Sequence, residues 1–110
     1  TNEILPNEKI DCVVYGCTSG TIASGFSSIE RKIKNAKPLS KVTTPSSAAI
    51  SALKKLNIKK ISIFTPYPKK LNDEVVSFFK NEKFDVTANA YLDIESDSDI
   101  WKVDPDFLYE

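Results

Sequence analysis

Apolar residues fall along this chain in short bursts whose spacing switches between strand-like and helix-like. Residues 10–15 (IDCVVY) form a nearly unbroken apolar run with β-branched members, the pattern of a parallel strand covered on both faces. Ser27-Ser28-Ile29-Glu30 has the Ser-x-x-Glu form of a capping box and predicts a helix over 28–36. Pro38 prevents that helix from continuing. Residues 42–44 fit a short strand. Pro45 suits a first helical position, and SSAAISALKKL then aligns Ala49, Ile50, Leu53 and Leu56 on one face. Residues 58–64 (IKKISIF) read as the next strand, and TPYPKKLND as a loop in which two prolines bracket Tyr67. A third helix over 71–81 buries Val75, Phe78 and Phe79, and residues 84–88 return to a strand. Residues 93–99 are polar, and Pro105 opens a last helix at DPDFLYE.

Strand and helix in alternation predict an α/β fold with a mainly parallel sheet flanked by helices. At 110 residues the chain can bury a real core but is short of a comfortable two domains. Both ends look cut, since the chain starts in what reads as a helix tail and stops in the first turn of another helix. The expectation is therefore a segment of a longer protein. No apolar run approaches the ~18 residues of a membrane span. TNEILPNEKID lacks the basic start and apolar centre of a signal peptide. With two unevenly placed cysteines, the expected compartment is a reducing cytoplasm.

Charge sums to zero but is unevenly spread. Residues 31–72 hold eleven Lys/Arg and no acidic residue, whereas residues 91–110 hold seven Asp/Glu against Lys102 alone. Stacking aromatics are scarce in the basic block and its lysines come in pairs at helix ends and turns, so nucleic acid is not the expected partner. Solvated surface is the leading reading, with attraction of a small anionic substrate behind it.

The candidate chemistry lies in Gly16-Cys17-Thr18-Ser19-Gly20, expected just beyond the carboxyl end of the first strand, where α/β sheets bind ligands. Gly16 is expected to permit a sharp turn, and the amides that follow to face outward from a short helix. A free thiol has a pKa of ~8.5, and one pKa unit corresponds to about 1.4 kcal/mol. One or two charge-assisted hydrogen bonds, at roughly 1.5–3 kcal/mol each, would supply that without histidine. The chain has no histidine, so Ser-His-Asp and Cys-His arrangements are excluded within it. It has neither a P-loop nor a dinucleotide fingerprint, and two cysteines without further ligands make a poor zinc site. Cys17 could equally be a small buried residue at a strand end, and Cys12 reads as structural. Thr18 and Ser19 could simply cap the next helix, and Tyr67 could be a surface turn residue. The run from Thr18 to Thr21 also faintly suggests a flavin-phosphate loop.

VVYGCTSGT, VTTPSSAAISALKKLNIKKISIFTPYPKKLN and IWKVDPDFLYE resemble, in order and spacing, segments of the aspartate/glutamate racemase superfamily. The branch they look most like holds maleate cis-trans isomerases, arylmalonate decarboxylases and the isomerase-like proteins of ectoine utilisation, with GCTSGT closest in form to the last. The resemblance implies two pseudo-symmetric flavodoxin-like halves with an active site between them and neither metal nor organic cofactor. Residues 1–57 would be the later part of the first half, and 58–110 the opening part of the second. Cys17 matches the catalytic cysteine of the first half, a glycine in the decarboxylases. Thr18 and Ser19 match groups that hold a substrate carboxylate, and Tyr67 the tyrosine that contacts the same carboxylate. Thr44 and Thr65 are further lining candidates. The second catalytic cysteine would fall beyond Glu110, so the isolated segment is expected to be inactive.

The function these readings imply is a segment of a cofactor-independent isomerase or racemase acting on a small (di)carboxylate through a cysteine thiolate. The expected partners are that carboxylate and, through exposed half-cores, further copies of the chain; neither nucleic acid nor membrane is expected. The alternative from another class is a non-catalytic module that binds small acids with the same loop. A third, a flavodoxin-like electron carrier, would be yellow.

Overall fold

The computed structural model describes Pro6 and residues 8–109. The N-terminal helix tail read above falls on residues 1–5 and Asn7 and lies outside the described residues, as does Glu110. The chain divides into two compact units, one up to Lys59 and the other from Lys60. Each is built on one pair of parallel strands with helices between them, so the α/β expectation holds, with two small sheets in place of one.

In the first unit β1 (Cys12–Val14) pairs in parallel with β2 (Lys41–Thr43), Val13 opposite Val42. Between them run α1 (Thr18–Ser24) and α2 (Phe26–Ala36), and α3 (Pro45–Lys55) follows β2. Gly25 joins α1 to α2 at φ +76°, a conformation that costs glycine little and other residues more. The capping box expected at Ser27 is not formed, because α2 begins earlier, at Phe26, with Gly25 as its N-cap. Glu30 instead pairs with Lys34 at 2.9 Å, one turn along. The capping box that does form is at α3, where Thr44 and Ser47 bond each other reciprocally ahead of Pro45.

Ile29 and Ile33 carry the buried face of α2, each contributing roughly 1.5–3 kcal/mol if fully removed from water. β1 departs from the expectation of a strand covered on both faces. Val13 is half-buried, but Val14 is 65% exposed and Cys12, expected inside, is also exposed. Successive strand residues point to opposite faces, and only one face of β1 is covered among the described residues.

In the second unit β3 (Lys60–Thr65) pairs in parallel with β4 (Asp85–Tyr91) around α4 (Lys69–Asn81). The register slips after Ile61, leaving Thr87 as the extra residue. Its hydroxyl donates to the Ile61 carbonyl at 3.2 Å, so the irregularity is hydrogen-bonded locally. Ile63, Val75 and Phe84 form the core. Phe79 stacks edge-to-face on both Phe78 and Phe84, at 5.4 and 6.0 Å between centroids. A short helix, α5 (Asp97–Ile100), occupies the stretch read as polar, and a 3-10 turn (Pro105–Tyr109) stands where the last helix was expected.

The same device ends α3 and α4 and starts the strand after each. Asn57 and Lys83 adopt left-handed backbones, φ 56° and 71°. The Ile58 N–H then donates back to Leu53 O and the Phe84 N–H to Phe79 O, the Schellman pattern with an apolar residue at its end. Strands predicted from 58 and 84 therefore begin one or two residues later, since Ile58 and Phe84 close the preceding helices. Leu56, expected on the buried face of α3, is the C-cap and is 69% exposed.

Asn72 is fully buried on α4, accepting from the Thr65 hydroxyl at 3.0 Å and donating to Asn89 at 3.1 Å. It ties the end of β3 to α4 and β4. Asn72→Ala is expected to destabilise the second unit by about 1–3 kcal/mol, because the buried Thr65 hydroxyl loses its acceptor. Lys83→Gly is expected to stabilise it by up to about 1 kcal/mol by relieving the left-handed backbone. Urea unfolding followed by circular dichroism reads both.

Candidate active site

β1 ends at Val14, but its ladder continues one residue further, the Tyr15 N–H donating to Thr43 O at 3.0 Å. Past Gly16 the chain enters α1 with Cys17 as its N-cap, backbone extended at φ −118° and ψ 111°. The Gly20 N–H donates to Cys17 Sγ at 3.2 Å, and the Ser19 hydroxyl lies 3.8 Å from the same sulfur. Sulfur thus takes the place usually held by the oxygen of Ser, Thr, Asp or Asn. Hydrogen bonds aimed at a thiol sulfur favour its anionic form, and the first turn of α1 carries no acidic side chain to oppose it.

The main chain here is held from beneath. Thr21 is fully buried, and its hydroxyl donates to the Cys17 carbonyl at 2.6 Å alongside its own N–H at 3.1 Å. Ser46, buried at the start of α3, directs its hydroxyl to Thr18 O at 3.4 Å. Two helix starts therefore meet at the carboxyl ends of β1 and β2, and the Cys17–Thr18 backbone is tied to both.

Tyr15 is the residue that reasoning from the sequence passed over. A Cβ placed on Gly20 would lie 2.7 Å from the Tyr15 hydroxyl and 2.8 Å from Cys17 Sγ. The two groups converge over the one position in the turn that has no side chain. The negative charge of Cys17 first, then hydrogen bonding with its side chain, raises the phenol's pKa above its ordinary value. A signal was present: in extended backbone, residues two apart project to the same side, as Tyr15 and Cys17 do. The glycine expected to matter, Gly16, would have nothing within 4 Å of an added Cβ and would accept one.

Thr18 and Ser19, at the first two positions of α1, are half-buried, and the Ser19 hydroxyl lies 3.8 Å from the sulfur. Thr44 is 1% exposed with its hydroxyl engaged in the α3 cap, 3.0 Å from Ser47 Oγ. Tyr67 belongs to the second unit, half-buried in the loop after β3. That loop is anchored by the Ile94 N–H, which donates to Pro66 O at 3.0 Å, and by Leu92 N–H on Thr65 O at 3.0 Å. The Thr65 hydroxyl is committed to Asn72. The structure thus brings Cys17, Thr18, Ser19 and Tyr15 together in one unit and sets Tyr67 at the matching strand end of the other. An open depression of about 330 Å³ lies at the far end of β1 and β2, by Ile10, Lys37 and Ser40, and holds none of these residues.

The chain is 29% identical over 108 residues to a maleate isomerase of Pseudomonas putida, covering 92% of this chain and 43% of that protein. An alanine-for-cysteine variant of the maleate isomerase Iso from Pseudomonas putida, solved with maleate, superposes with a TM-score of 0.79. Its sequence identity is 25%, over 91% of this chain and 43% of that one. A cysteine-to-serine variant of the Nocardia farcinica maleate cis-trans isomerase, carrying a covalently bound succinylcysteine intermediate, shares the fold. There the TM-score is 0.78 and the identity 16%, over 92% of this chain and 44% of that one. The chain therefore spans less than half the length of the relatives it matches. Residues 23–110, from within α1 to the end of both units, match the arylmalonate decarboxylase family. With a match across most of the sequence and the fold of maleate isomerases in both units, this chain belongs to the arylmalonate decarboxylase family.

Proposed function

We propose that this chain is part of a cofactor-independent isomerase that acts on a small dicarboxylate of the maleate type, with the Cys17 thiolate as nucleophile. The observation that carries the reading is the sulfur itself, N-cap of α1 and acceptor of the Gly20 N–H at 3.2 Å. A decarboxylase of this family resembles the chain less well at that point, since the resemblance puts glycine where Cys17 stands.

The chemistry follows from what a thiolate does to an electron-poor alkene. The sulfur lone pair forms a C–S bond to one alkene carbon, and the π pair moves into the neighbouring carboxylate as an enediolate. The former double bond is now single and rotates. The pair then returns, the C–S bond breaks, and the trans alkene and the thiolate are regenerated. Thr18 and Ser19 hydroxyls and the Tyr67 phenol would hold the carboxylate on which charge develops, where donors contribute most. The similarity to maleate isomerases supports this route over deprotonation and reprotonation as in a racemase. The ectoine-utilisation form of residues 16–21 supports a related small acid as the alternative substrate within the same chemistry.

On this reading residues 1–57 and 58–110 contribute to different halves of the enzyme. A reducing cytoplasm suits two cysteines that share no disulfide; no helix among the described residues is long and apolar enough to cross a membrane. Exposed Leu56 and Trp101, 69% and 75% accessible, favour self-association of the isolated chain.

Iodoacetamide labelling read by mass spectrometry tests the proposal. Maleate is expected to slow alkylation of Cys17 and leave that of exposed Cys12 unchanged. Equal rates at both cysteines, with and without maleate, would overturn the nucleophile reading and favour binding or structure alone. Tyr67→Phe is expected to weaken maleate protection about tenfold, the loss of one hydrogen bond to a charged group. The isolated 110-residue chain is expected to show no turnover of maleate.

A further inference from the structure

The geometry points to Tyr15 as a positioning residue for Cys17: its phenol donates a hydrogen bond to the sulfur beside the Gly20 N–H, stabilising and aiming the thiolate. The inference deepens the proposed function and rests on its reading of Cys17 as the nucleophile. Three observations carry it. Tyr15 has its backbone fixed by the bond to Thr43 O at 3.0 Å, so the phenol is delivered from a strand end, not a free loop. The phenol oxygen and Sγ both come within 2.8 Å of the point a Cβ on residue 20 would occupy, which makes glycine there a condition of their approach. The hydroxyl lies over the first turn of α1 on the same side as the Cys17 sulfur, whose charge raises the phenol's pKa.

This chain offers its thiol no imidazole, and a protonated phenol is a donor of another kind. With pKa values of about 10 for phenol and about 8.5 for thiol, the proton of the pair resides on oxygen once the thiol ionises. Tyr15 thereby remains a donor throughout the addition and elimination steps and need not transfer its proton.

Other charges at the sulfur are few. α1 carries no charged side chain, nor do residues 45–48 at the start of α3. On α2, Glu30 is paired with Lys34 while Arg31 and Lys32 lie further along the helix. Lys41 on β2 pairs with Cys12 at the strand end away from Tyr15.

The test follows the alkylation rate of Cys17 by iodoacetamide across the thiol ionisation range, in a Cys12→Ser background. Tyr15→Phe is expected to raise the midpoint by about one pH unit, the tenfold change expected of one lost donor. The rate below the midpoint should fall only about threefold, because a more basic thiolate is also a better nucleophile. Gly20→Ala, with Tyr15 intact but displaced, is expected to move the midpoint the same way. Circular dichroism establishes that both variants keep the parent fold. A Tyr15→Phe profile superimposable on the parent's overturns the inference, whatever Gly20→Ala does. Maleate separates this from the broader reading. A midpoint shift without maleate protection would remove the proposed substrate and leave the role of Tyr15; protection with an unmoved midpoint would do the reverse.

Discussion

Over Gly20, in the first turn of α1, a tyrosine hydroxyl and a cysteine sulfur occupy the space in which any other residue would place its β-carbon. The rest of the first unit is arranged to keep that convergence. β1 and β2 extend their ladder to Tyr15, Thr21 bonds the Cys17 carbonyl from below with both hydroxyl and N–H, and Ser46 reaches the Thr18 carbonyl from α3. Apolar burial alone would not achieve this. Ile29 and Ile33 hold α2 to the sheet but say nothing about where a sulfur points, whereas directed hydrogen bonds at buried side chains do.

The second unit solves the same problem with other residues. The loop bearing Tyr67 leaves β3 at Thr65, whose hydroxyl is locked to the fully buried Asn72. Asn72 in turn bonds Asn89 on β4, and the residues after β4 return two N–H groups to Thr65 and Pro66. In each unit, then, a functional candidate sits on a short connection after a strand, and a buried polar residue from an adjoining helix restrains it. Loops carry chemistry well when a rigid scaffold positions them.

Chemically the arrangement is a thiol assisted by dipoles. An N–H at 3.2 Å and a serine hydroxyl at 3.8 Å face the sulfur, a phenol converges with it over Gly20, and none of the three is a base. Such a site can stabilise an anion without taking a proton from substrate, a combination suited to a nucleophile that must both add and leave.

Periodicity and punctuation in the sequence sufficed for the class of fold, the helix that starts at Pro45, the helix that ends at Asn81, and the position of Cys17 at a strand end. These depend on interactions between near neighbours in sequence: Pro45 at a first helical position, apolar residues three and four apart, a glycine after a β-branched run. Three features depended on geometry that hydropathy does not register. Which faces of β1 are covered is decided by how many layers pack on it, and its apolar run reads the same either way. The strand starts after Asn57 and Lys83 depend on backbone bonds reaching back into the preceding helix, which hydropathy does not register. The importance of Gly20 over Gly16 became visible only when the Tyr15 hydroxyl and the Cys17 sulfur were brought over the same helical turn. A sequence specifies that contact, but only the folded chain shows it, because a steric requirement at one residue is set by where its neighbours' side chains point once the turn has formed.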